Sequence, residues 1–217
     1  MKPVNLLEYI NTLDDDRFDL VYPPPIRMAS DRHWTPVMVA RRVAEFLVRK
    51  PGTRVLDIGC GPGKFCIVGA LVTQGRFTGV EQRQHLCDVA RYVVRRANIF
   101  NVEIIHGNAM EIAFSDFDAF YLFNPFLENL ETTLKIDTTV HLSADLYEKY
   151  TEHVARQLAL APLGTRVATY WGSCEQVPLG YKCVESSLDS GLNFWEKREN
   201  HPVRPTSFEW TPAKNTE

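Results

Sequence analysis

The sequence predicts an α/β fold of three layers, in which a mostly parallel, seven-stranded sheet lies between helices on both faces. One observation is that apolar, strand-like runs alternate with amphipathic segments from Arg54 onward. Another is that two short segments, 181–186 and 193–198, predict a C-terminal antiparallel hairpin whose turn contains Gly191. The elements expected before it are strand 54–58, helix 63–73, strand 76–81, helix 83–98, strand 102–105, strand 118–123, helix 143–160 and strand 166–171.

The residues ahead of the first strand predict a helix over 36–49, whose apolar positions recur every three or four residues. Thr35 and Pro36 are residue types favoured at the N-cap and at the first helical position. Further upstream we expect a short helix over 4–13. Three consecutive prolines, 23–25, then predict an extended arm, which would act either as a packed strap or as a lid over the site. Tyr22 and Trp34 in this arm would either cover the active site or pack in the core, and we expect core packing.

Composition favours one soluble globular domain. The 217 residues are 45% hydrophobic and 24% charged, and the formal charge of −3 argues against an obligate polyanion binder. Two groups of basic residues are expected on the solvent faces of helices, although either could form a local patch. No secretion signal is recognisable, and the longest apolar run, 65–72, is too short for a bilayer, so we expect no membrane association. The two basic groups are Arg41, Arg42, Arg49 and Lys50, and Arg83, Arg91, Arg95 and Arg96.

Cysteine and histidine usage favours neither a metal nor disulfides. The five cysteines are odd in number and contain no Cys-x-x-Cys pair. A reducing cytoplasm is the compartment that this usage favours. Four histidines, at positions 33, 85, 106 and 141, share no ligand spacing, and we expect no metal site.

An apolar strand that runs into a glycine-rich turn, residues 55–65, carries the main functional signal. Asp57 precedes three glycines at alternate positions. Such glycines let the backbone approach a ligand closely, and the following helix start leaves N–H groups unpaired. The spacing does not fit a dinucleotide fingerprint, and Lys64 is followed by Phe65 rather than Ser or Thr, so NAD and ATP are disfavoured. A carboxylate here suits a cationic group such as an amino acid ammonium.

Asp57, Gly59, Gly61 and Gly63 match the pattern Asp-x-Gly-x-Gly-x-Gly, and the segment resembles the first motif of the class I S-adenosylmethionine-dependent methyltransferases. The resemblance implies S-adenosylmethionine as the cofactor. Asp57 would bind its ammonium through water or through the loop, and the glycines would contact it. Cys60 belongs to the same loop and is counted with the cofactor-binding residues, with a buried thiol as the expected state.

Two further strand ends extend the resemblance. Glu81 ends the second strand eighteen residues after Gly63, close to the roughly 20-residue spacing of a ribose-binding carboxylate. Gln82 is expected beside the adenine. The third strand runs into Asn108 and Ala109, where the family usually has an acid that binds the adenine amino group. Asn108 departs from that pattern, but its amide oxygen can accept the same hydrogen bond more weakly.

The fourth strand ends in Asn124-Pro125-Phe126, which resembles the Asn-Pro-Pro-Tyr/Phe motif of methyltransferases that act on nitrogen. The Asn124 oxygen and the neighbouring Pro125 carbonyl would accept two hydrogens from one nitrogen and turn its lone pair toward the sulfonium methyl, with Asn124 also near the cofactor. Phe126 would stack on the acceptor. The single proline is closer to some lysine methyltransferases than to base-modifying enzymes.

These resemblances predict a methyltransferase that acts on a nitrogen nucleophile, a protein lysine or another amine. A nucleic-acid adenine methyltransferase is the alternative enzyme, and a non-catalytic cofactor-binding module or partner subunit is the alternative of another class. The oligomeric state is left open. The expected organisation is an N-terminal arm over 1–35 that packs on or over the cofactor site, a methyltransferase domain over 36–198 and a loose tail over 199–217.

Overall fold

A seven-stranded sheet with helices on both faces forms the centre of the computed structural model, which describes residues 6–12, 14–130, 135–172, 174–187 and 191–201. The strands are β1 (Arg54–Ile58), β2 (Arg76–Glu81), β3 (Val102–His106), β4 (Ala119–Leu122), β5 (Arg166–Tyr170), β6 (Tyr181–Ser187) and β7 (Leu192–Lys197). The helices are α1 (Leu6–Asn11), α2 (Asp15–Asp19), α3 (Pro24–Met28), α4 (Ser30–His33), α5 (Val37–Leu47), α6 (Lys64–Val72), α7 (Gln84–Arg96) and α8 (Ala144–Leu160).

The strand order is β3-β2-β1-β4-β5-β7-β6. The first five of these strands pair in parallel, and β7 pairs antiparallel with both β5 and β6. The predicted fold class and the C-terminal hairpin are therefore confirmed. The chain order reverses between β1 and β4, and doubly wound sheets bind ligands in the crevice beyond the carboxyl ends of such strands.

Two hydrophobic cores lie on the two faces of the sheet because side chains alternate along each strand. Val55 and Tyr121 point into the core shared with α5, α6 and α7. Leu56 and Phe120, one residue away on the same strands, point into the core shared with α8. All four residues are at most 1% exposed, so β1 and β4 are covered on both faces, as central parallel strands require.

The proline segment differs from the prediction. Pro23 is extended, with φ −57° and ψ 151°, but α3 begins at Pro24. The expectation of an extended arm is therefore wrong over α3, because a proline fits the first turn of a helix, where no N–H partner is needed. The helix predicted over 4–13 corresponds to α1, and residues 4, 5 and 13 lie outside the described ranges.

The start of α5 also differs from the prediction. Thr35 does not cap it, since its hydroxyl is 2.9 Å from the Tyr121 hydroxyl. The Val37 N–H instead donates to an Asp15 carboxylate oxygen at 2.9 Å. A side chain distant in sequence thus takes the capping role that the Thr-Pro pair suggested.

The described sheet has β3 and β6 at its edges, and β6 contains an irregularity in its pairing between Cys183 and Glu185. Residues 188–190 of the predicted turn and 202–217 of the predicted tail lie outside the described ranges. Within those ranges, no helix has the length and apolar character needed to cross a bilayer. All five cysteines are free thiols.

Candidate active site

A cavity of about 420 Å³ opens beyond the carboxyl ends of β1, β2 and β4. It lies at the crevice expected from the strand order. A larger groove of about 1140 Å³ lies at the amino ends of β1 to β3, but it contains neither the glycine turn nor a predicted site residue. Residues that line the smaller cavity include Gly59, Gly61, Glu81, Gln82, Ala109, Asn124, Pro125 and Phe126.

The glycine turn presents two of its three glycines to this cavity. A Cβ built on Gly61, which has φ +54°, would lie 2.7 Å from the Trp34 ring. A Cβ on Gly59 would lie 3.0 Å from Pro125 Cβ. The segment Asn124-Pro125-Phe126, the predicted acceptor motif, therefore touches the glycine turn directly. Gly63 faces Ala90 of α7 instead, at 3.1 Å from a built Cβ. Gly59 and Gly61 thus line the cavity while packing against Pro125 and Trp34, and Gly63 packs against α7.

Cys60 and Asp57 lie behind the turn rather than in the cavity. Cys60 is buried against β2, where a Cβ on Gly79 would lie 2.6 Å from its Sγ, and burial raises the pKa of its thiol. Asp57 is 3% exposed. The Cys66 thiol donates to its carboxylate at 3.5 Å. Burial is the main cause that raises the pKa of Asp57 to about 7; the Cys66 hydrogen bond opposes this shift and the nearby charge of Glu81 adds to it.

Glu81 is held at the cavity by two backbone donors. The Gly61 N–H donates to one carboxylate oxygen at 3.1 Å and the Arg83 N–H to the other at 2.9 Å. Burial raises the pKa of Glu81, although these donors and the Arg83 guanidinium oppose the shift. Gln82 follows it on the cavity wall. The carboxylate is thus oriented before any ligand binds, as a ribose hydroxyl would require.

The sequence predicted that Arg83 lies on the solvent face of a helix, but the structure buries it. Its side chain is 6% exposed, with Glu128 at 3.1 Å and Asp137 at 3.1 Å. Glu128 also accepts a hydrogen bond from the Ile136 N–H. Arg83 therefore ties the chain that follows the acceptor motif to the end of β2.

The Asn108 side chain turns away from the cavity. Its oxygen accepts from the Met110 N–H at 2.9 Å, and its amide donates to the Tyr150 hydroxyl at 2.9 Å. Its neighbours Gly107 and Ala109 line the cavity. Asn108 is thus used to cap its own turn and to contact α8, which the sequence analysis did not anticipate.

Asn124 leaves β4 in a left-handed conformation, with φ +42°. Its Oδ1 lies beside Gly172 at the end of β5, 1.9 Å from where a Cβ would be. In the described part of the chain, no hydrogen bond reaches the Asn124 side chain. Phe126 is 3% exposed and stacks on Tyr150 with ring centroids 5.0 Å apart, so its ring offers little free surface to an acceptor.

The N-terminal helices supply cavity residues that sequence reasoning did not assign. Arg32, His33 and Trp34 all line the cavity. Trp34 is 5% exposed and donates from Nε1 to the Ile26 carbonyl at 2.7 Å. Burial lowers the pKa of His33. The only sequence signal for this wall of the cavity was the pair of aromatic side chains His33 and Trp34, just before the helix predicted over 36–49.

Ion pairs hold these N-terminal helices against α6. Lys64 is 2% exposed, and its ammonium lies 2.6 Å from an Asp15 oxygen and 2.7 Å from an Asp19 oxygen. The Ser30 hydroxyl donates to Asp19 as well. Since Lys64 follows the glycine turn directly, the pairs fix the arm beside the loop that it covers. Among the described residues, no three His, Cys, Asp or Glu side chains are arranged to hold a metal ion.

Comparison with known proteins agrees with this arrangement. Residues 55–159 match a family model described as a methyltransferase domain. A demethylmenaquinone methyltransferase of Listeria welshimeri is 42% identical over 67 residues, which are 30% of this chain and 28% of that protein. The chain therefore matches less than a third of the length of that relative.

Solved structures show the same fold at low identity. An RNA methyltransferase from Salinibacter ruber, solved with S-adenosylhomocysteine, has a TM-score of 0.55 at 20% identity and covers 77% of this chain and 95% of its own. An S-adenosylmethionine-dependent O-methyltransferase from Thermotoga maritima has a TM-score of 0.53 at 19% identity, covering 83% of this chain and 73% of its own. S-Adenosylmethionine is the cofactor of this family. Residues 55–159 thus match a methyltransferase domain, and the chain has the fold of class I S-adenosylmethionine-dependent methyltransferases.

Proposed function

We propose that this protein transfers the methyl group of S-adenosylmethionine to a nitrogen nucleophile, with a protein lysine or another amine as the acceptor class. The observation that carries the proposal is the contact between the two motifs. Pro125 packs on Gly59, and Asn124 and Glu81 line the same cavity. A cofactor held by the glycine turn and Glu81 would therefore lie within reach of the acceptor motif.

The residues present fit the cofactor. Gly59 and Gly61 line the cavity, and Glu81 has both oxygens fixed by backbone donors. Asp57 adds a partly neutral carboxyl behind the turn at neutral pH, because its pKa is about 7. We propose that Asp57, Cys60 and Gly63 act by shaping the turn, and that Glu81, Gln82 and Ala109 contact the nucleoside.

The bound sulfonium supplies an activated methyl carbon, so the chain needs only to align the acceptor. Asn124 Oδ1 and the Pro125 carbonyl would accept two N–H groups of an uncharged amine. That arrangement directs the lone pair along the line of displacement; the N–C bond forms as the C–S bond breaks, and the nitrogen then loses a proton to solvent. Phe126 would support the loop from the core, since its ring packs on Tyr150.

Acceptors in nucleic acid are less favoured by the charges at this end of the molecule. Arg83 is enclosed by Glu128 and Asp137, and Arg91 donates to the Ile104 carbonyl at 2.9 Å. Two of the four arginines in the second basic group are thus used internally. Phosphate contacts at the cavity would then depend on Arg32, which lines it.

The test has two stages. Calorimetry with S-adenosylmethionine and S-adenosylhomocysteine is expected to show binding of both, and failure of both to bind would overturn the cofactor assignment. Radiolabelled methyl transfer into lysate separated into protein, nucleic acid and small molecules is then expected to label protein or amines. Label confined to nucleic acid would favour the adenine alternative, and binding without any label would favour a non-catalytic module.

A further inference from the structure

The ends of β4 and β5 meet at the cavity rim in an unusual backbone conformation. Trp171 and Cys174, after β5, have φ of +50° and +58°, and Asn124, after β4, has φ of +42°. These two strands are neighbours, with Leu122 opposite Thr169. Left-handed backbone is disfavoured at residues other than glycine and persists where the surroundings impose it. A neighbouring group must therefore hold Asn124 in this conformation.

Gly172 is the neighbour that decides where the Asn124 side chain can lie. A Cβ built on Gly172 would be 1.9 Å from Asn124 Oδ1 and 3.1 Å from its Cγ. The carboxamide thus occupies the space that any other residue at 172 would fill. Gly172 also has φ of +113°, a conformation that side chains disfavour.

Contacts with the hairpin hold Gly172 in this place. The Trp171 N–H donates to the Gly191 carbonyl at 2.9 Å, and a Cβ on Gly191 would lie 3.3 Å from the Trp171 ring. On the other side, Thr169 Oγ1 lies 3.3 Å from the Cys174 Sγ and accepts from Trp195 Nε1 at 3.0 Å. The turn after β5 is therefore fixed by β7 and not only by its own sequence.

We propose that Gly172 is a positioning residue, which holds the Asn124 carboxamide in the orientation needed to receive the acceptor nitrogen. This inference rests on the proposed function of Asn124. It adds that the residues after the neighbouring strand β5 set the geometry of the acceptor motif. Because Gly172 has no side chain, the Asn124 carboxamide can lie against it, and Gly172 limits how far the carboxamide can turn.

The principal test is Gly172→Ala, with Gly164→Ala as its matched control. Gly164 has φ of +83°, and a Cβ there meets no atom within 4 Å, so its replacement carries backbone strain without a contact. We expect Gly172→Ala to lower kcat about tenfold or more with an unchanged Kd for S-adenosylhomocysteine, because a small displacement of a reacting group is costly. Gly164→Ala is expected to leave kcat unchanged. Wild-type kcat in Gly172→Ala would overturn the inference.

A double-mutant cycle separates this inference from the proposed function. In an Asn124→Ala background, Gly172→Ala is expected to cause no further loss of kcat, because its effect passes through the carboxamide. A further loss would overturn the positioning role. If Asn124→Ala alone retains wild-type transfer, it is the proposed function that fails. If Gly172→Ala does not fold, Gly191→Ala decides: a fall in kcat of about twofold to fivefold is expected from a slight shift of Trp171, and an unchanged kcat would overturn the inference.

Discussion

We divide the cavity into a proposed cofactor half, around Gly61 and Glu81, and a proposed acceptor half, around Asn124. The two halves differ in whether the chain forms hydrogen bonds to their polar side chains. In the cofactor half, both Glu81 oxygens accept backbone hydrogen bonds, and Trp34 covers Gly61. In the acceptor half, the Asn124 carboxamide lies beside Gly172, and no hydrogen bond reaches it within the described ranges. One half is complete before a ligand arrives, and the other leaves its functional group free.

This difference fits the role that we propose for each half. A binding carboxylate benefits from fixed orientation, because ordering it on ligand binding would reduce affinity. An amide that must receive two N–H groups needs its oxygen unoccupied, and steric confinement can orient it without using its lone pairs. The two halves thus reach preorganisation by hydrogen bonding and by packing, respectively.

The largest effect is expected from breaking the attachment of the arm to the cofactor half. Lys64→Met leaves the Asp19 carboxyl, 5% exposed, without its cation, and a loss of about 3–5 kcal/mol in the free energy of unfolding is expected for such a pair. Urea denaturation measures it. Arg41→Ala, which removes an exposed pair with Glu45, is the control and should change stability by less than about 1 kcal/mol. A comparably small loss in Lys64→Met would show that the arm is not anchored in this way.

Asn124→Ala tests the acceptor half alone. We expect kcat to fall about 100-fold, since one aligning acceptor is lost, and the Kd of S-adenosylhomocysteine to stay within about twofold. Asn98→Ala is a matched control, because Asn98 is also left-handed, with φ +54°, but lies at the end of α7 away from the cavity. Equal activity losses in the two variants would point to backbone strain and not to the carboxamide.

Glu81→Gln tests the cofactor half alone. The amide keeps one acceptor oxygen but turns an N–H₂ group toward one of the two backbone donors, Gly61 or Arg83. The Kd for S-adenosylmethionine is expected to rise about tenfold to thirtyfold, with kcat at saturation within about threefold. Calorimetry and saturation kinetics measure both, and Glu103→Gln on exposed β3 serves as control. An unchanged Kd would remove the ribose role.

Another effect is expected in the pH dependence of stability. The pKa of Asp57 is about 7 in the folded protein because of burial, against 3.8 for a free carboxyl. The unfolded chain therefore loses this proton first, and its contribution makes stability fall as the pH rises from about 4 to 7. Asp57→Asn should flatten that slope and raise the free energy of unfolding at pH 8 by about 1 kcal/mol or more.

Asp118 supplies the contrast in sign. Arg54 lowers its pKa by a side-chain hydrogen bond, so its stabilising contribution is present above pH 4 and is lost as the pH falls through the folded pKa. Asp118→Asn should therefore reduce stability slightly at pH 7. An Asp57→Asn profile identical to that of the wild type would show that burial of this carboxyl has no energetic consequence.

The sequence predicted the parts of the site that depend on one segment each. The glycine turn and Glu81 lie at the ends of strands that are buried on both faces. The apolar character of residues 54–58 and 76–81 predicts these strands without tertiary information. The observed β1 and β2 have these same bounds. Asn124 was placed by the same logic at the end of β4.

Residues defined by contacts between distant segments were not predictable. Trp34 meets Gly61, Lys64 meets Asp19, and Arg83 meets Glu128 across separations that no local pattern encodes. Thr35 and Asn108 had suitable residue types, but Tyr121 engages the hydroxyl of the first, and the second caps its own turn. A tertiary partner thus outweighed the local preference of Thr35, and a local hydrogen bond took up the Asn108 oxygen that was expected to face the adenine.

The irregular pairing of β6 has a consequence for the protein in concentrated solution. An open strand edge is a template on which a second chain can add itself, leading to aggregation. Here the ladder is interrupted between Cys183 and Glu185, and the charged side chains of Lys182 and Glu185 are exposed beside the break. A second polypeptide that approached β6 would meet both an irregular backbone and charged side chains, so this edge strand resists the addition of another strand. The candidate site lies away from this edge, beyond the carboxyl ends of β1, β2 and β4.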